Sequence, residues 1–391
     1  MNILFGFTWI LNPNFGGTER VTDILAKHLA KRGHNIFYLH TIENRPTNFC
    51  SPAVKDFYIP EAIIDLPQGK EAYESVLKEY SIDVVINQGG LMGTCKFLTN
   101  TDYCKKIVVI HFDPQYGYNY FYNNISTLRN NKFLEKCKRI VRCVDAFRRK
   151  RNLKKYLNDL YSYWFQTADY VCLLSDKFYS DIYKVCNHII PSKLTAINNP
   201  NTFTCVEDSE TQKRKQILWA GRLDMKQKRP DRIVKIWKEI YKKHPEWKLV
   251  IAGDGDAKEY IQSLSKDIPS IELVGRVDLE PYYAESEIIC MTSTTEGWGM
   301  VLTEAMAFGA IPIAFHSFAS VTDLLRNDKQ LVRPFNLEEY SLKLQALIED
   351  SALRTELRKN GFKILKGFET ESICNQWESL LSSLNTSTCN P

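Results

Sequence analysis

The strongest constraint on the fold is an alternation. Short apolar runs recur along most of the chain, each followed by a longer segment of helical period. In the first half the runs are Ile3–Phe7, Ile36–Leu39, Val84–Asn87, Ile107–Phe112, Tyr170–Leu174 and Leu194–Ile197. In the second half they are Ile217–Gly221, Leu249–Ala252, Ile271–Val274, Ile288–Met291 and Ile311–Phe315. Apolar runs alternating with amphipathic segments predict parallel sheets covered by helices. Two sets of five or six strands predict an α/β chain of two doubly wound, Rossmann-like domains, and 391 residues suffice for both. Ligands bind such sheets at the carboxyl ends of the strands, so the expected site is a cleft between the two domains.

The pattern thins around Asn198–Ser209, where the sequence reads NNPNTFTCVEDS. A hinge is expected there, with domains over 1–200 and 201–369. Residues 370–391 are expected to form a closing helix and tail, because Ile373, Trp377, Leu380 and Leu381 share one helical face.

Most of the candidate chemistry follows strands. Ser293–Gly309, STTEGWGMVLTEAMAFG, comes directly after the run Ile288–Met291. A strand, a glycine loop and a helix N-terminus make an anion site, because free N–H groups and the positive end of the helix dipole point outward there. Glu296 and Glu304 bracket the loop with seven residues between them. Carboxylates accept hydrogen bonds from sugar hydroxyls, so this pairing suits a ligand with an anionic centre and hydroxyl-bearing ends. A capped helix with two solvated glutamates is the plain alternative.

The loop after Ile217–Gly221 reads Arg222-Leu223-Asp224-Met225-Lys226-Gln227-Lys228-Arg229-Pro230. A cationic loop after a strand suits a diphosphate, with Arg as a bidentate fork and Lys as a point charge. Asp254-Gly255-Asp256 is formally a D-x-D triplet but sits in a tight turn and is read as turn chemistry. Near the N-terminus, Gly16-Gly17-Thr18-Glu19-Arg20 precedes a helix that Thr18 is placed to cap. It is not G-x-G-x-x-G, which disfavours a NAD-dependent dehydrogenase. His111 ends the run Ile107–Ile110, where functional and structural histidines both occur.

Composition narrows the class. Hydrophobic content of 44% and charged content of 25% are ordinary for a soluble globular chain. Neither a signal peptide nor a run long enough to span a bilayer is seen. The 11 cysteines include no C-x-x-C pair, which predicts reduced, mostly buried thiols and no zinc site in a cytoplasmic protein. The net charge of +5 is mild but is concentrated over 129–155, with the aromatic cluster Tyr116–Tyr122 before it. That insert reads either as a solvated helix face or as a surface for anionic lipid headgroups or an anionic acceptor. No nucleic-acid motif accompanies it.

Taken in order, the motifs resemble the retaining glycosyltransferases of family 4, the group 1 type with a GT-B fold. The carriers are GGTERV at Gly16–Val21, VIHFD at Val109–Asp113 and LLS at Leu173–Ser175. WAGRLDMKQKRPDR, VIAGDG, LVGRV and EGWGMVLTEAMAFGAIPIA, with its E-x7-E spacing, follow. The resemblance covers nearly the whole chain. Trp298 stands where a smaller aromatic is usual in the family, and the basic insert is longer than a minimal connection.

The resemblance implies transfer of a hexose or N-acetylhexosamine from a nucleotide-diphosphate sugar, expected to be a UDP-sugar, with retention and without a metal. The acceptor would be a glycan or lipid-linked saccharide in cell-surface polysaccharide synthesis, with the protein peripheral on the inner membrane face through 129–155. It implies that Arg222 and Lys228 bind the diphosphate, with Lys226 and Arg229 as competitors for the second role. Glu296 would lie by the transferred sugar, and Gly299, Met300 and Val301 would present N–H groups to sugar and phosphate. Glu304 would take the ribose hydroxyls, and the backbone at Arg276 and Val277 the base. Gly17 would let its loop close on the diphosphate, and His111 would face the reaction centre. A nucleotide-sugar-binding scaffold or sensor, and a nucleotide-sugar 2-epimerase, are the alternative functions.

Overall fold

The computed structural model describes residues 1–9, 11–13, 16–42, 52–115, 133–206 and 213–386, with backbone alone for 133–146 and 385–386. The chain divides into two compact units. One is Met1–Pro200 with Thr370–Pro391, and the other is Asn201–Glu369. Each is an α/β unit built on one parallel sheet, and together the two Rossmann-like units constitute the GT-B fold.

The first sheet runs β3-β2-β1-β4-β5-β6-β7. Its strands are β1 Asn2–Gly6, β2 Asn35–His40, β3 Lys55–Tyr58, β4 Val84–Asn87, β5 Lys105–Ile110, β6 Tyr170–Leu173 and β7 Leu194–Ala196. The second runs β10-β9-β8-β11-β12-β13. Its strands are β8 Arg214–Ala220, β9 Lys248–Ala252, β10 Ile271–Gly275, β11 Ser286–Met291, β12 Ile311–Phe315 and β13 Leu331–Val332. Every pairing in both sheets is parallel.

Central strands are apolar because both faces are covered. Ile3, Leu4 and Phe5 of β1 are fully buried, as are Ile217, Leu218, Ile288 and Ile289 of β8 and β11. Two strands were not expected from the sequence, and both are edges. β3 is KDFY with Phe57 as its one buried residue, and β13 has only two residues. Their pairing with β2 and with β12 comes from a neighbour already in place, so no apolar run marks them.

The helix Gly17–Lys31 follows β1 and starts one residue before the expected cap. Gly16 is its N-cap and no side chain caps it. Thr18 lies within the first turn, where its carbonyl accepts from the Thr22 hydroxyl at 2.8 Å. The C-terminal helix Thr370–Thr386 packs in the first unit although it follows the second in sequence. It buries Ile373, Cys374, Trp377 and Leu381. Glu371 pairs with Arg32, and Glu378 lies 3.3 Å from His34.

A 35-residue helix, Phe133–Thr167, spans much of the basic stretch. Its last turns bury Leu157, Leu160, Tyr161, Trp164 and Phe165, whereas Phe147, Arg148, Arg149, Arg151, Lys154 and Lys155 are exposed. Residues 129–132 and the Tyr116–Tyr122 cluster lie outside the described residues. Among the described residues the cysteines are free thiols, five of them buried, and no helix is long and apolar enough to cross a membrane.

Candidate active site

The site in the second unit is built from two loops laid against each other at the carboxyl ends of neighbouring strands. The first, after β8, is shaped by close backbone approach. Gly221 N–H donates to Ala252 O at 3.0 Å and Leu223 N–H to Asp254 O at 2.9 Å. Gly253 has φ +146°, and a Cβ there would lie 1.9 Å from Gly221 O. No other residue fits that conformation and that gap. The VIAGDG and AGR motifs therefore make one backbone joint. The carboxylate of Asp254 accepts from Gly255 N–H at 2.8 Å and from Lys258 at 2.9 Å, which is the turn role expected for this triplet.

Asp224 then folds the loop. Its Oδ1 accepts from the N–H groups of Lys226 at 3.0 Å and Gln227 at 2.6 Å. The cations beyond it part company. Arg229 adopts a left-handed conformation at φ 51° and holds Asp231 with two bonds, at 2.8 and 3.1 Å. Burial disfavours charge on Asp231, but Arg229 and Lys235 outweigh it and keep its pKa below the usual carboxylate value. Lys228 instead reaches Glu296, with Nζ 2.6 Å from Oε1. Of the cations competing with Lys228, Arg229 is committed to Asp231. Arg222 is exposed at 66% and lies 3.2 Å from Asp224.

The second loop, after β11, is zipped to the first. Thr294 N–H donates to Gln227 O at 2.7 Å and its hydroxyl to Lys226 O at 2.6 Å. Glu296 is buried and accepts from three side chains. Besides Lys228, Ser293 Oγ donates at 2.6 Å and Gln227 Nε2 at 3.2 Å. A carboxylate with this many donors is held in one orientation. Ser320 Oγ donates to Gly297 O at 2.8 Å, pinning the loop from the far side.

Gly299, at φ 89°, then turns the chain into the helix Met300–Ala307. Gly299, Met300 and Val301 open that helix, where its dipole is positive. Glu304 sits at the start of the second turn. It is buried and accepts from Tyr283 Oη at 2.8 Å and from Thr202 Oγ1 at 3.1 Å. Trp298 is buried between the glycines with its ring edge-on to Phe368 at 5.0 Å. Arg276 and Val277 follow β10, next to the Gly253 joint through the bond from Gly253 N–H to Gly275 O at 2.7 Å. Arg276 is exposed and Val277 half-buried.

The loops thus bring Lys228 and Glu296 into direct contact and place Gly299, Met300, Val301 and Glu304 on the helix that follows. Gln227, Ser293, Tyr283 and Thr202 were missed in the sequence. Ser293 stands three residues before Glu296 and Gln227 adjoins Lys228, which was the available signal. Thr202 and Tyr283 are remote from Glu304 in sequence and left none. Gly17 and His111 belong to the first unit. Gly17 begins the helix after β1. His111 follows β5, is buried, and faces Gln88 Oε1 through Nε2. Burial pushes its pKa down to about 3, so the ring is neutral at pH 7.

Residues 206–364 match the family model described as glycosyl transferases group 1. The chain is 27% identical over 383 residues to an uncharacterized glycosyltransferase of Haemophilus influenzae, across 94% of this chain and 96% of that one. It is 28% identical over 212 residues to the amylovoran biosynthesis glycosyltransferase AmsD of Erwinia amylovora, across 53% of this chain and 60% of that protein. The solved structure of Anabaena HepE in complex with UDP and glucose has the same fold. Its TM-score is 0.73 at 15% identity, over 98% of this chain and all of that one, 100%.

Proposed function

We propose that this protein is a retaining, metal-independent glycosyltransferase of family 4. It moves a hexose or N-acetylhexosamine from a UDP-sugar to a glycan or lipid-linked acceptor in cell-surface polysaccharide synthesis. The observation that carries the reading is the ion pair of Lys228 with Glu296 beside a helix N-terminus, within the segment that matches the group 1 family. The AmsD likeness supports a polysaccharide product, and the HepE complex with UDP supports the nucleotide.

On this reading Arg222 and Lys228 take the diphosphate, assisted by the N–H groups of Gly299, Met300 and Val301. Glu304 takes the ribose and the backbone at Arg276 and Val277 the base. Negative charge grows on the leaving diphosphate as the glycosidic bond breaks, and fixed cations and N–H groups stabilise it without reorganising. Glu296, held by three donors, orients the sugar hydroxyls and stabilises positive charge at the anomeric carbon. The departing phosphate oxygen helps to deprotonate the acceptor on the same face. In the first unit the reading assigns Gly17 and His111 to substrate contact.

A panel of UDP-, GDP- and ADP-sugars in EDTA tests the reading by thermal shift and by nucleotide release. A shift with the UDP class that survives EDTA is expected. A shift only with added metal would refute the metal-free mechanism, and no shift with any sugar nucleotide would refute the donor site. Binding without release or transfer would favour the scaffold or sensor. The exposed basic face of the helix Phe133–Thr167 is proposed to meet the inner membrane surface. Pelleting with anionic vesicles in preference to neutral ones is expected, and equal pelleting would sink that part.

A further inference from the structure

Gln88 follows β4 in the stretch Asn87-Gln88-Gly89-Gly90, a turn fixed from every side. Gln88 N–H donates to Gly6 O and Gly90 N–H to Val109 O, both at 3.1 Å. Gly89 N–H donates to Asn87 Oδ1 at 2.8 Å. Trp164, on the long helix, donates its indole N–H to Gly90 O at 2.8 Å. Neither glycine has room for a side chain. A Cβ at Gly89 would lie 2.1 Å from Cys95 Sγ, and one at Gly90 2.5 Å from Val109 O. The turn is therefore rigid, and it delivers the Gln88 amide to the His111 ring.

Both side chains are buried, Gln88 at 3% exposure and His111 at 8%. The amide oxygen Oε1 faces ring atom Nε2. An amide oxygen only accepts, so Nε2 carries the proton and Nδ1 of the neutral ring is left as a lone pair. Nδ1 is buried and has no hydrogen-bond partner among the described residues. Buried polar atoms of native proteins nearly always have a partner, and an exception calls for one. The nearby carboxylate of Asp113 is turned to Gln115 N–H at 2.8 Å.

We propose that Gln88 is a positioning residue: by accepting from Nε2–H it fixes His111 in the tautomer whose Nδ1 lone pair receives a hydrogen bond from a substrate hydroxyl. Burial keeps the ring neutral, so protonation does not compete for Nδ1 near pH 7. The substrate half rests on the transferase reading given above, whereas the tautomer half rests only on this contact.

The test is long-range proton–nitrogen correlation NMR on the full chain labelled with 15N-histidine, with His111 assigned from the spectrum of His111→Asn. Wild type is expected to show the Nε2–H pattern at pH 7. Gln88→Met keeps the length and removes the acceptor, and is expected to shift His111 towards a mixture of tautomers. Gln88→Glu keeps an acceptor and is expected to retain Nε2–H. Turnover of the sugar nucleotide is expected to fall about ten- to a hundredfold in Gln88→Met, by analogy with the loss of a partner that orients a metal-ligating histidine. An Nδ1–H pattern in wild type, or an unchanged Nε2–H pattern in Gln88→Met, would overturn the positioning role. Wild-type turnover in Gln88→Met despite a scrambled tautomer would overturn the substrate contact. Absence of any sugar transfer by the wild type would fail the transferase reading alone, since the NMR result needs no substrate.

Discussion

The loops at the carboxyl ends of the two sheets are held in different ways. In the second unit Glu296 is ionic, with Lys228 at 2.6 Å and two neutral donors beside it. In the first unit His111 is neutral, met by a single amide on a turn that backbone bonds keep rigid. Both sites follow a buried parallel strand, so the sheets supply the same position and the loops supply the difference. A charged network fixes a carboxylate and can meet a charged ligand. A neutral, desolvated ring fixes a lone pair and can meet a hydroxyl. The contrast is between a charged and a neutral anchor.

The largest effect that would break this contrast is at the charged site. Glu296→Gln keeps the shape and the donors but removes the charge. Transfer is expected to fall by about a hundred- to a thousandfold with the fold intact by circular dichroism. Near-wild-type turnover would mean that Glu296 is only a structural acceptor.

Next comes the backbone joint under Lys228. Gly253→Ala puts a methyl 1.9 Å from Gly221 O at φ +146°. The expected cost is more than roughly 3 kcal/mol, read by denaturant unfolding. Gly275→Ala also places alanine at positive φ, +72°, but with nothing within 4 Å of its Cβ. It is expected to cost roughly 1–2 kcal/mol, the left-handed strain alone. Equal losses would show that close approach is not what the joint requires.

The smallest expected effect sharpens the neutral site and is read by pH. His111 has a folded pKa lowered to about 3 from an ordinary value of 6.5. Between those values the unfolded chain binds the extra proton, so stability rises with pH across that window. The contribution is complete above about pH 6.5 and is lost as pH falls towards about 3. From pH 7 to pH 5 the wild type should lose roughly 2 kcal/mol more than His111→Leu. Parallel losses in the two proteins would mean that the histidine is not buried neutral.

Much of the architecture was legible because its cause is local. A strand covered on both faces must be apolar along its length, so the central strands announced themselves. The edges β3 and β13 did not, since each needs only a neighbour with free backbone groups. The site was legible in the same proportion. Glu296 and Lys228 stand in loops whose glycines are forced by backbone geometry, Glu304 stands on the helix that Gly299 opens, and that geometry leaves a motif. Thr202 and Tyr283 leave none, because a hydroxyl reaching a buried carboxylate across 102 or 21 residues has no spacing rule.

The sequence by itself therefore determined the alternation of strand and helix, the parallel sheets and the glycine loops that carry charge. Those properties arise from periodicity, burial and permitted φ, each readable over a few residues. Only the tertiary structure decided which competitor Arg229 would cease to be, by giving it Asp231 as a partner. It alone brought Gln88 onto His111 and packed the C-terminal helix in the first unit. Such choices depend on which side chains meet after distant strands have paired, and that meeting is set by the whole fold.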